Sequence, residues 1–107
     1  MRIEKSWGYE LILENDQYCM KLLVYTRPVA SSLHYHPKKR ETFYVTSGLF
    51  EIDHGEQGNA MTYRPGMHLT IPAGLAHRVR CLEPGTIVEA STHDDSEDCV
   101  RLVPSES

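Results

Sequence analysis

The sequence lacks the features that mark a membrane, secreted or nucleic-acid-binding protein. No apolar run approaches the roughly 20 residues that a membrane span requires, and MRIEKSWGYE at the N-terminus has no apolar signal-peptide core. The net charge is −4, and the basic run PKKR at 37–40 is too short to follow a phosphate backbone. We expect that run to be a solvated loop. These absences predict a cytoplasmic protein that binds neither nucleic acid nor a membrane.

Cysteine and helical periodicity are also scarce. Three cysteines are present, an odd number, and no CxxC motif suggests a zinc finger or a redox pair. In a reducing compartment they are expected to be free thiols, mostly small core residues. No segment keeps a 3.6-residue apolar period long enough to predict a helix.

The chain does contain a series of short β-type runs separated by Gly/Pro turns. One of these turns is predicted at 54–59. Regular short strands with such turns predict an all-β fold, a sandwich or a barrel, and 107 residues suit a single domain over 1–107. The acidic and polar tail, residues 94–107, is expected to cover an edge strand or to fray. The runs lie at 9–13, 18–26, 32–36, 41–47, 49–53, 60–64, 68–71, 76–81 and 86–92.

The stretch SSLHYHPKKRETFYVTSG, residues 31–48, places metal-ligand side chains at the start of two consecutive strands. His34 and His36 share one strand face, because alternate side chains point the same way. Glu41 opens the next strand on the face of its apolar residues, where an unpaired carboxylate is costly to bury. A divalent Zn, Fe, Mn, Ni or Cu ion would offset that cost. The HxH pair alone is weak evidence, since two surface histidines on an edge strand are the commoner arrangement.

A second stretch, PGMHLTIPAGLAHRV at 65–79, strengthens this interpretation. Pro72 and Gly74 make a turn, and His77 then shares a face with Val79 and Cys81, which predicts that it points into the core.

Together the two stretches resemble the paired signature motifs of the cupin superfamily. The first is His34, His36, Glu41 and Gly48, and the second is Gly66, Pro72, Gly74 and His77, with order and internal spacing as in the family. Two positions depart from the family pattern: Pro28 replaces a glycine and Cys81 replaces an asparagine. The resemblance covers about residues 28–81. It implies a small antiparallel jelly-roll barrel, one divalent metal (Zn, Fe, Mn or Ni) held by His34, His36, Glu41 and His77, and a homodimer.

The flanking segments are similar to sugar-handling cupins of the mannose-6-phosphate isomerase type. EKSWGYELIL at 4–13 is close to the opening of that group, and IVEASTHDDSEDCVRL at 87–102 is close to its last strand and acidic tail. This resemblance implies an isomerase or epimerase of a sugar or sugar phosphate, in which the metal stabilises an enediolate.

Such a reaction needs a base near the metal. The candidates are Lys21 and Glu89, each a charged residue in an otherwise apolar strand. Both strands are apolar on both faces, so the sequence leaves open whether either side chain points inward or into solvent.

Two other functions stay open at this stage. Three histidines and a glutamate also suit an Fe(II)-dependent dioxygenase, which would consume oxygen. A non-catalytic sugar-binding module would bind a sugar without turnover, and it gains support if neither Lys21 nor Glu89 faces the metal.

Overall fold

A computed structural model describes residues 1–54 and 60–107, and the part of the chain that it describes contains strands but no helix. Within these residues, eleven strands form two antiparallel sheets, with the orders β1-β2-β3-β10-β5-β8 and β11-β4-β9-β6-β7. The strands are β1 (Arg2–Lys5), β2 (Gly8–Asn15), β3 (Tyr18–Tyr25), β4 (Leu33–Tyr35), β5 (Glu41–Val45), β6 (Leu49–His54), β7 (Met61–Tyr63), β8 (His68–Ile71), β9 (His77–Glu83), β10 (Gly85–Thr92) and β11 (Val100–Val103).

The predicted all-β fold is confirmed, and each of the nine predicted runs overlaps a strand. β1 and β11 were not predicted, because both are short and all their residues are exposed, so neither carries an apolar alternation. The tail does not fray where β11 forms. It pairs with β4 and covers the edge of that strand. Most of the turn predicted at 54–59 lies outside the described residues.

Alternation of buried and exposed side chains gives each sheet an inner face. In β3, Cys19, Lys21, Leu23 and Tyr25 are buried, and the intervening residues are more exposed. This two-residue period is the reason why these segments form strands with one face toward a core.

Apolar side chains from both sheets meet between them. The ring of Trp7 stacks on Tyr25 with centroids 4.1 Å apart, and Tyr25 meets the edge of Phe50 across the two sheets at 5.1 Å. Ile52 from the smaller sheet and Ile87 from the larger sheet are fully buried in the same cluster. The predicted barrel is therefore present as two opposed antiparallel sheets. Over residues 1–54 and 60–107 they do not join into one continuous hydrogen-bonded cylinder.

The C-terminal residues are fastened to the outside of the smaller sheet. Both guanidinium nitrogens of Arg80 donate to the Glu106 carboxylate, at 3.0 and 2.8 Å. The backbone amide of Ala30 donates to the same carboxylate at 2.9 Å. Arg78 donates to the carbonyl oxygens of Ser31 and Pro104. These contacts hold the tail that follows β11 in place.

The three cysteines are free thiols. Cys19 and Cys81 are buried in the core, and Cys99 is half-buried.

The described residues include no helix of the length and apolarity needed to cross a bilayer.

Gly48, in the turn between β5 and β6, is expected to tolerate no side chain. Its φ is +84°, and a Cβ there would lie 2.7 Å from Glu83 O and 2.7 Å from Gly85 Cα. Gly66 has a similar φ of +92°, but a Cβ there meets nothing within 4 Å. Gly66→Ala should therefore lower the free energy of unfolding by about 1–2 kcal/mol, from backbone strain alone. Gly48→Ala should cost about 1–3 kcal/mol more, because backbone atoms must move.

Urea unfolding of the two variants and the wild type, all without metal, measures this difference. Equal losses for the two variants would contradict the steric role assigned to Gly48.

Candidate metal centre

A cavity of about 540 Å³ opens between the two sheets. Its floor is made of buried side chains from the inner faces, including Lys21, His77 and Glu89. Its rim includes exposed residues of β1 and β11, the edge strands at one end of each sheet. Its volume falls in the range of small-molecule sites, roughly 300–1,000 Å³.

Three histidines converge on this floor. His34 on β4 lies directly opposite His77 on β9, so the two imidazoles share the inner face of the smaller sheet. His36 follows just after β4 ends, and Pro37 prevents the strand from continuing. One ligand nitrogen from each ring can be chosen so that all three lie within 4.8 Å of one another.

Backbone carbonyls orient all three rings. The Nδ1 atoms lie 3.1 Å from Ser32 O for His34, 2.7 Å from Asp98 O for His36 and 3.0 Å from Leu75 O for His77. A carbonyl can only accept, so we assign the proton to Nδ1 of His36 and His77. Nδ1 of His34 also lies 2.8 Å from the Ser32 hydroxyl, and with its proton on Nδ1 that hydroxyl accepts as well. The Nε2 lone pairs are then free on the other side of each ring, the arrangement found in metal-ligating histidines.

The environment favours the neutral state that a metal requires for two of these rings, His34 and His36. Burial lowers the pKa of His34 to about 3, with further lowering from the neighbouring His77 and His36. The pKa of His36 is lowered by burial and by the ammonium of Lys39. Protonation therefore does not compete for these two nitrogens at neutral pH.

Glu41 supplies an oxygen donor beside these nitrogens. Its side chain is 2 % exposed, and its oxygens lie 3.4 Å from His36 Nε2 and 3.4 Å from His77 Nε2. Burial alone would raise the pKa of Glu41, but the ammonium of Lys39, 3.5 Å away, opposes this, and the pKa is lowered.

Two of these donor atoms are buried without a partner. Glu41 Oε2 and His77 Nε2 make no hydrogen bond with any described residue. Unsatisfied buried polar atoms are uncommon and costly. Three imidazoles and one carboxylate, two of whose donor atoms lack a hydrogen-bond partner, fit a divalent transition metal.

The structure decides the orientation that the sequence left open for Lys21 and Glu89. The two residues lie opposite each other on β3 and β10, and both side chains line the cavity at 5 % and 4 % exposure. Burial, reinforced by the charge of Glu41, raises the pKa of Glu89 even though Lys39 and Lys21 act in the other direction. Burial lowers the pKa of Lys21, but Glu89, Glu10 and Asp94 outweigh it and leave that pKa raised.

Lys39 corrects the prediction of a solvated loop at 37–40. It is 4 % exposed, and its Nζ lies 3.1 Å from Glu89 Oε2, 2.9 Å from Asp94 Oδ1 and 3.5 Å from Glu41 Oε2. Its neighbours Lys38 and Arg40 are exposed, as predicted. One residue in a polar run turns inward because the carboxylates that attract it come from β5, β10 and the tail, which local sequence does not reveal.

Two tail residues also belong to the site, and the sequence did not predict them as site residues. Asp94 accepts from Lys21 Nζ at 2.7 Å and from Lys39 Nζ at 2.9 Å, so it joins the two lysines. Asp98 accepts from the backbone amides of Lys38 and Lys39 through its carboxylate, and from His36 through its carbonyl. In the sequence they are two members of the acidic run THDDSEDC, with no spacing that separates them from their neighbours.

Comparison with known proteins bears on both the fold and the site. The profile of a family described as "Cupin domain" matches residues 24–91, which include His34, His36, Glu41, His77 and Glu89. Protein SchB of Streptomyces halstedii is 43% identical over 49 residues, which are 46% of this chain and 34% of that protein.

Two solved structures are similar across almost the whole chain. The capsular polysaccharide assembling protein CapF of Staphylococcus aureus superposes with a TM-score of 0.79 at 17% identity, covering 96% of this chain and 31% of CapF. The oxalate decarboxylase of Lactobacillus farciminis superposes with a TM-score of 0.80 at 17% identity, covering 95% of this chain and 33% of the enzyme. At this identity the likeness concerns the fold. This chain spans about a third of the length of all three relatives.

The contacts of Asp94 predict a pH-dependent contribution to stability. Burial would raise the pKa of Asp94, but Lys21 and Lys39 outweigh it and hold the pKa far below its ordinary value. A carboxylate with a depressed folded-state pKa stabilises the fold above its unfolded pKa of about 3.9, and the contribution fades as the pH falls below that value. Asp94→Asn should therefore lower the free energy of unfolding by about 3 kcal/mol at pH 7, because two buried ammoniums each lose a partner.

Urea unfolding of metal-free protein at pH 7, 5 and 3.5 tests this. The matched control is Asp95→Asn, since Asp95 is exposed and its carboxylate accepts, among the described residues, only from the Glu97 amide. A loss at Asp94 that was as large at pH 3.5 as at pH 7, or that Asp95→Asn reproduced, would contradict the assigned role.

Proposed function

Because this chain belongs to the cupin domain family, we propose that it is a metal-dependent isomerase or epimerase of a sugar or sugar phosphate. The observation that carries this proposal is the position of Glu89. Its carboxylate lies in the same cavity as the three histidines, and Lys39 bridges it to Glu41, at 3.1 and 3.5 Å. A base candidate next to a metal-ligand set is what proton transfer between neighbouring sugar carbons needs.

The residues assigned to the metal are His34, His36, Glu41 and His77. These residues would hold a divalent ion, which would supply a Lewis acid for polarising a carbonyl and acidifying the neighbouring hydroxyl. Three nitrogen donors and one oxygen donor suit Zn, Fe, Mn or Ni, and availability decides among them.

Glu89 is assigned as the base. Its buried carboxylate has a raised pKa, which makes it a stronger proton acceptor than a carboxylate in water. It takes the proton from the hydroxyl-bearing carbon next to the carbonyl and delivers it to the former carbonyl carbon. The hydroxyl proton passes to the former carbonyl oxygen, which completes an aldose–ketose conversion. The ammonium of Lys39, 3.1 Å away, compensates the charge of Glu89 before the transfer and then faces the charge that develops on the sugar oxygens.

Lys21 is assigned a supporting role. Its ammonium is held by Glu10 and Asp94, and its pKa is raised, so it is protonated at neutral pH and does not accept a proton. It holds Asp94, which in turn holds Lys39 beside Glu89.

Two further observations support parts of this proposal. The first concerns the carbohydrate substrate and the second the cytoplasmic location. One relative with the same fold, CapF, takes part in assembling a capsular polysaccharide. The three cysteines are free thiols, the state expected in a reducing compartment.

We predict that His77→Ala removes the metal. The wild-type protein should carry about one metal ion per chain. Loss of one ligand should weaken metal binding by more than about 100-fold, which exceeds the effect of removing a residue that only orients a ligand. Elemental analysis after dialysis against a weak chelator measures the metal content per chain.

His68→Ala is the matched control, because His68 is an exposed histidine on β8 that does not line the cavity. His34→Ala gives a second test at a half-buried ligand, in case His77→Ala does not fold. Full metal content in both ligand variants would overturn the metal assignment.

We predict that Glu89→Gln abolishes proton exchange while metal content and sugar binding persist. In deuterated water, NMR should show loss of one carbon-bound proton from a sugar in a panel of aldoses, ketoses and their phosphates. The variant should exchange at least about 100-fold more slowly, the usual contribution of a general base. Glu83→Gln, at an exposed position outside the cavity, should exchange like the wild type.

The same experiment separates the alternatives. Unchanged exchange in Glu89→Gln would exclude Glu89 as the base. Sugar binding without any exchange in the wild type would favour the non-catalytic module. Oxygen consumption by the iron-loaded protein, lost on exchange for zinc, would favour the dioxygenase.

A further inference from the structure

Charge is distributed unevenly within the cavity. On the floor, the ammoniums of Lys21 and Lys39 face four carboxylates, those of Glu10, Glu41, Glu89 and Asp94, at 2.7–3.5 Å. When these groups are ionised, the floor carries two excess negative charges, which a bound divalent metal cancels. A metal-loaded floor therefore has little net charge left for binding an anion.

The rim differs from the floor. Arg101 on β11 lines the cavity, is exposed and forms no ion pair with any carboxylate in residues 1–54 or 60–107. Lys5 on β1, the edge strand of the other sheet, has the same properties. Lys5 and Arg101 are thus two cations at the opening that form no ion pair with a described carboxylate. Of the acidic residues that line the cavity beside them, Glu4 pairs with Arg2 and Asp95 forms no ion pair with any described residue.

The register of β11 places Arg101 next to the metal ligands. Arg101 is the direct partner of His34 in the antiparallel pair with β4. Directly opposite residues share a face, with their Cα atoms about 4.5–5.5 Å apart. The pairing shifts immediately after Arg101, before Val103. Such irregularities commonly re-aim a side chain beside a functional site.

Building on the proposed function, we infer that Arg101 determines substrate class by binding an anionic group of the sugar, a carboxylate or a phosphate. A guanidinium presents a planar pair of N–H donors that matches both anions. The sugar carbonyl and hydroxyl point toward the floor, and the charged group points toward the rim. Lys5 adds a second positive charge from the opposite edge.

The competing explanation for Arg101 is protection of an edge strand. β11 is the outermost strand of the smaller sheet, and charged side chains on such strands prevent pairing with other chains. That role requires only a polar residue at this position, and it predicts changes in aggregation but none in ligand preference.

Calorimetric titration of the zinc-loaded protein with three matched sugars tests the inference. The probes are glucose, glucuronate and glucose 6-phosphate, so that the carboxylate and the phosphate are measured separately. In the wild type, at least one charged sugar should bind about tenfold more tightly than glucose, in line with a charge-assisted hydrogen bond. Arg101→Gln should remove that preference, leave the affinity for glucose unchanged and retain the metal.

Arg101→Lys should keep part of the preference, because it preserves the charge but not the planar fork. Arg64→Gln is the control, since Arg64 is also exposed and unpaired within the described chain but does not line the cavity. It should bind all three sugars like the wild type.

The outcomes separate this inference from the proposed function. Preference for a charged sugar that disappears in Arg101→Gln supports the anchor, even if no proton exchange is ever detected. Proton exchange with equal affinity for neutral and charged sugars supports the isomerase and overturns the anchor. A preference that survives in Arg101→Gln also overturns it, and failure of all three sugars to bind would overturn both.

Discussion

The site depends on one constraint, the burial of the Glu41 carboxylate among three imidazoles. A buried carboxylate must be paired or bound to a metal, because desolvation of the charge is otherwise prohibitive. Here the nearest groups are His36 and His77 at 3.4 Å and Lys39 at 3.5 Å, and none of them gives Glu41 Oε2 a hydrogen bond. The arrangement is satisfied when a cation sits between the four donor groups. The metal-ligand set is thus a requirement of the buried charge as well as a feature of the family.

That constraint extends outward through the lysines. Lys39 compensates Glu41 and Glu89, and Asp94 compensates both Lys39 and Lys21. A network of this kind is stable only when every member has its partners, since each lost partner leaves a buried charge. The tail residue Asp94 therefore contributes to the preorganisation of the groups proposed to move a proton. Asp98 does the same for His36, whose Nδ1 it engages through its carbonyl oxygen.

The separation between floor and rim gives the cavity two distinct tasks. Charges on the floor balance once a divalent metal is bound, and they are mostly inaccessible to water, which suits chemistry on a polarised carbonyl. Lys5 and Arg101 on the rim are exposed and form no ion pair with a described residue, which suits selection of a ligand by its charge. The two open edge strands, β1 and β11, supply that rim, so the absence of a continuous hydrogen-bonded cylinder in the described residues provides the opening of the site.

Much of the centre could be predicted from local sequence. The spacing of His34 and His36 puts both on one strand face, and the short alternating runs predict the strands. The resemblance to cupins added His77 as a partner of Glu41, and it also implies a homodimer, which stays a prediction. All four proposed ligands lie in strands or turns with strong local patterns, and for that reason the sequence located them.

Only the tertiary structure decided which groups the charged residues contact. Lys21 and Glu89 lie in strands that are apolar on both faces, so their inward orientation follows from the pairing of β3 with β10, which joins residues 68 positions apart in the chain. Lys39 stands in a basic run, and Arg101 in a strand with no apolar alternation, so nothing local distinguishes them from solvated residues. Their positions are set by long-range pairing and by carboxylates distant in sequence. Local patterns indicate which face of a strand is apolar, whereas the partners of a buried charge depend on the whole fold.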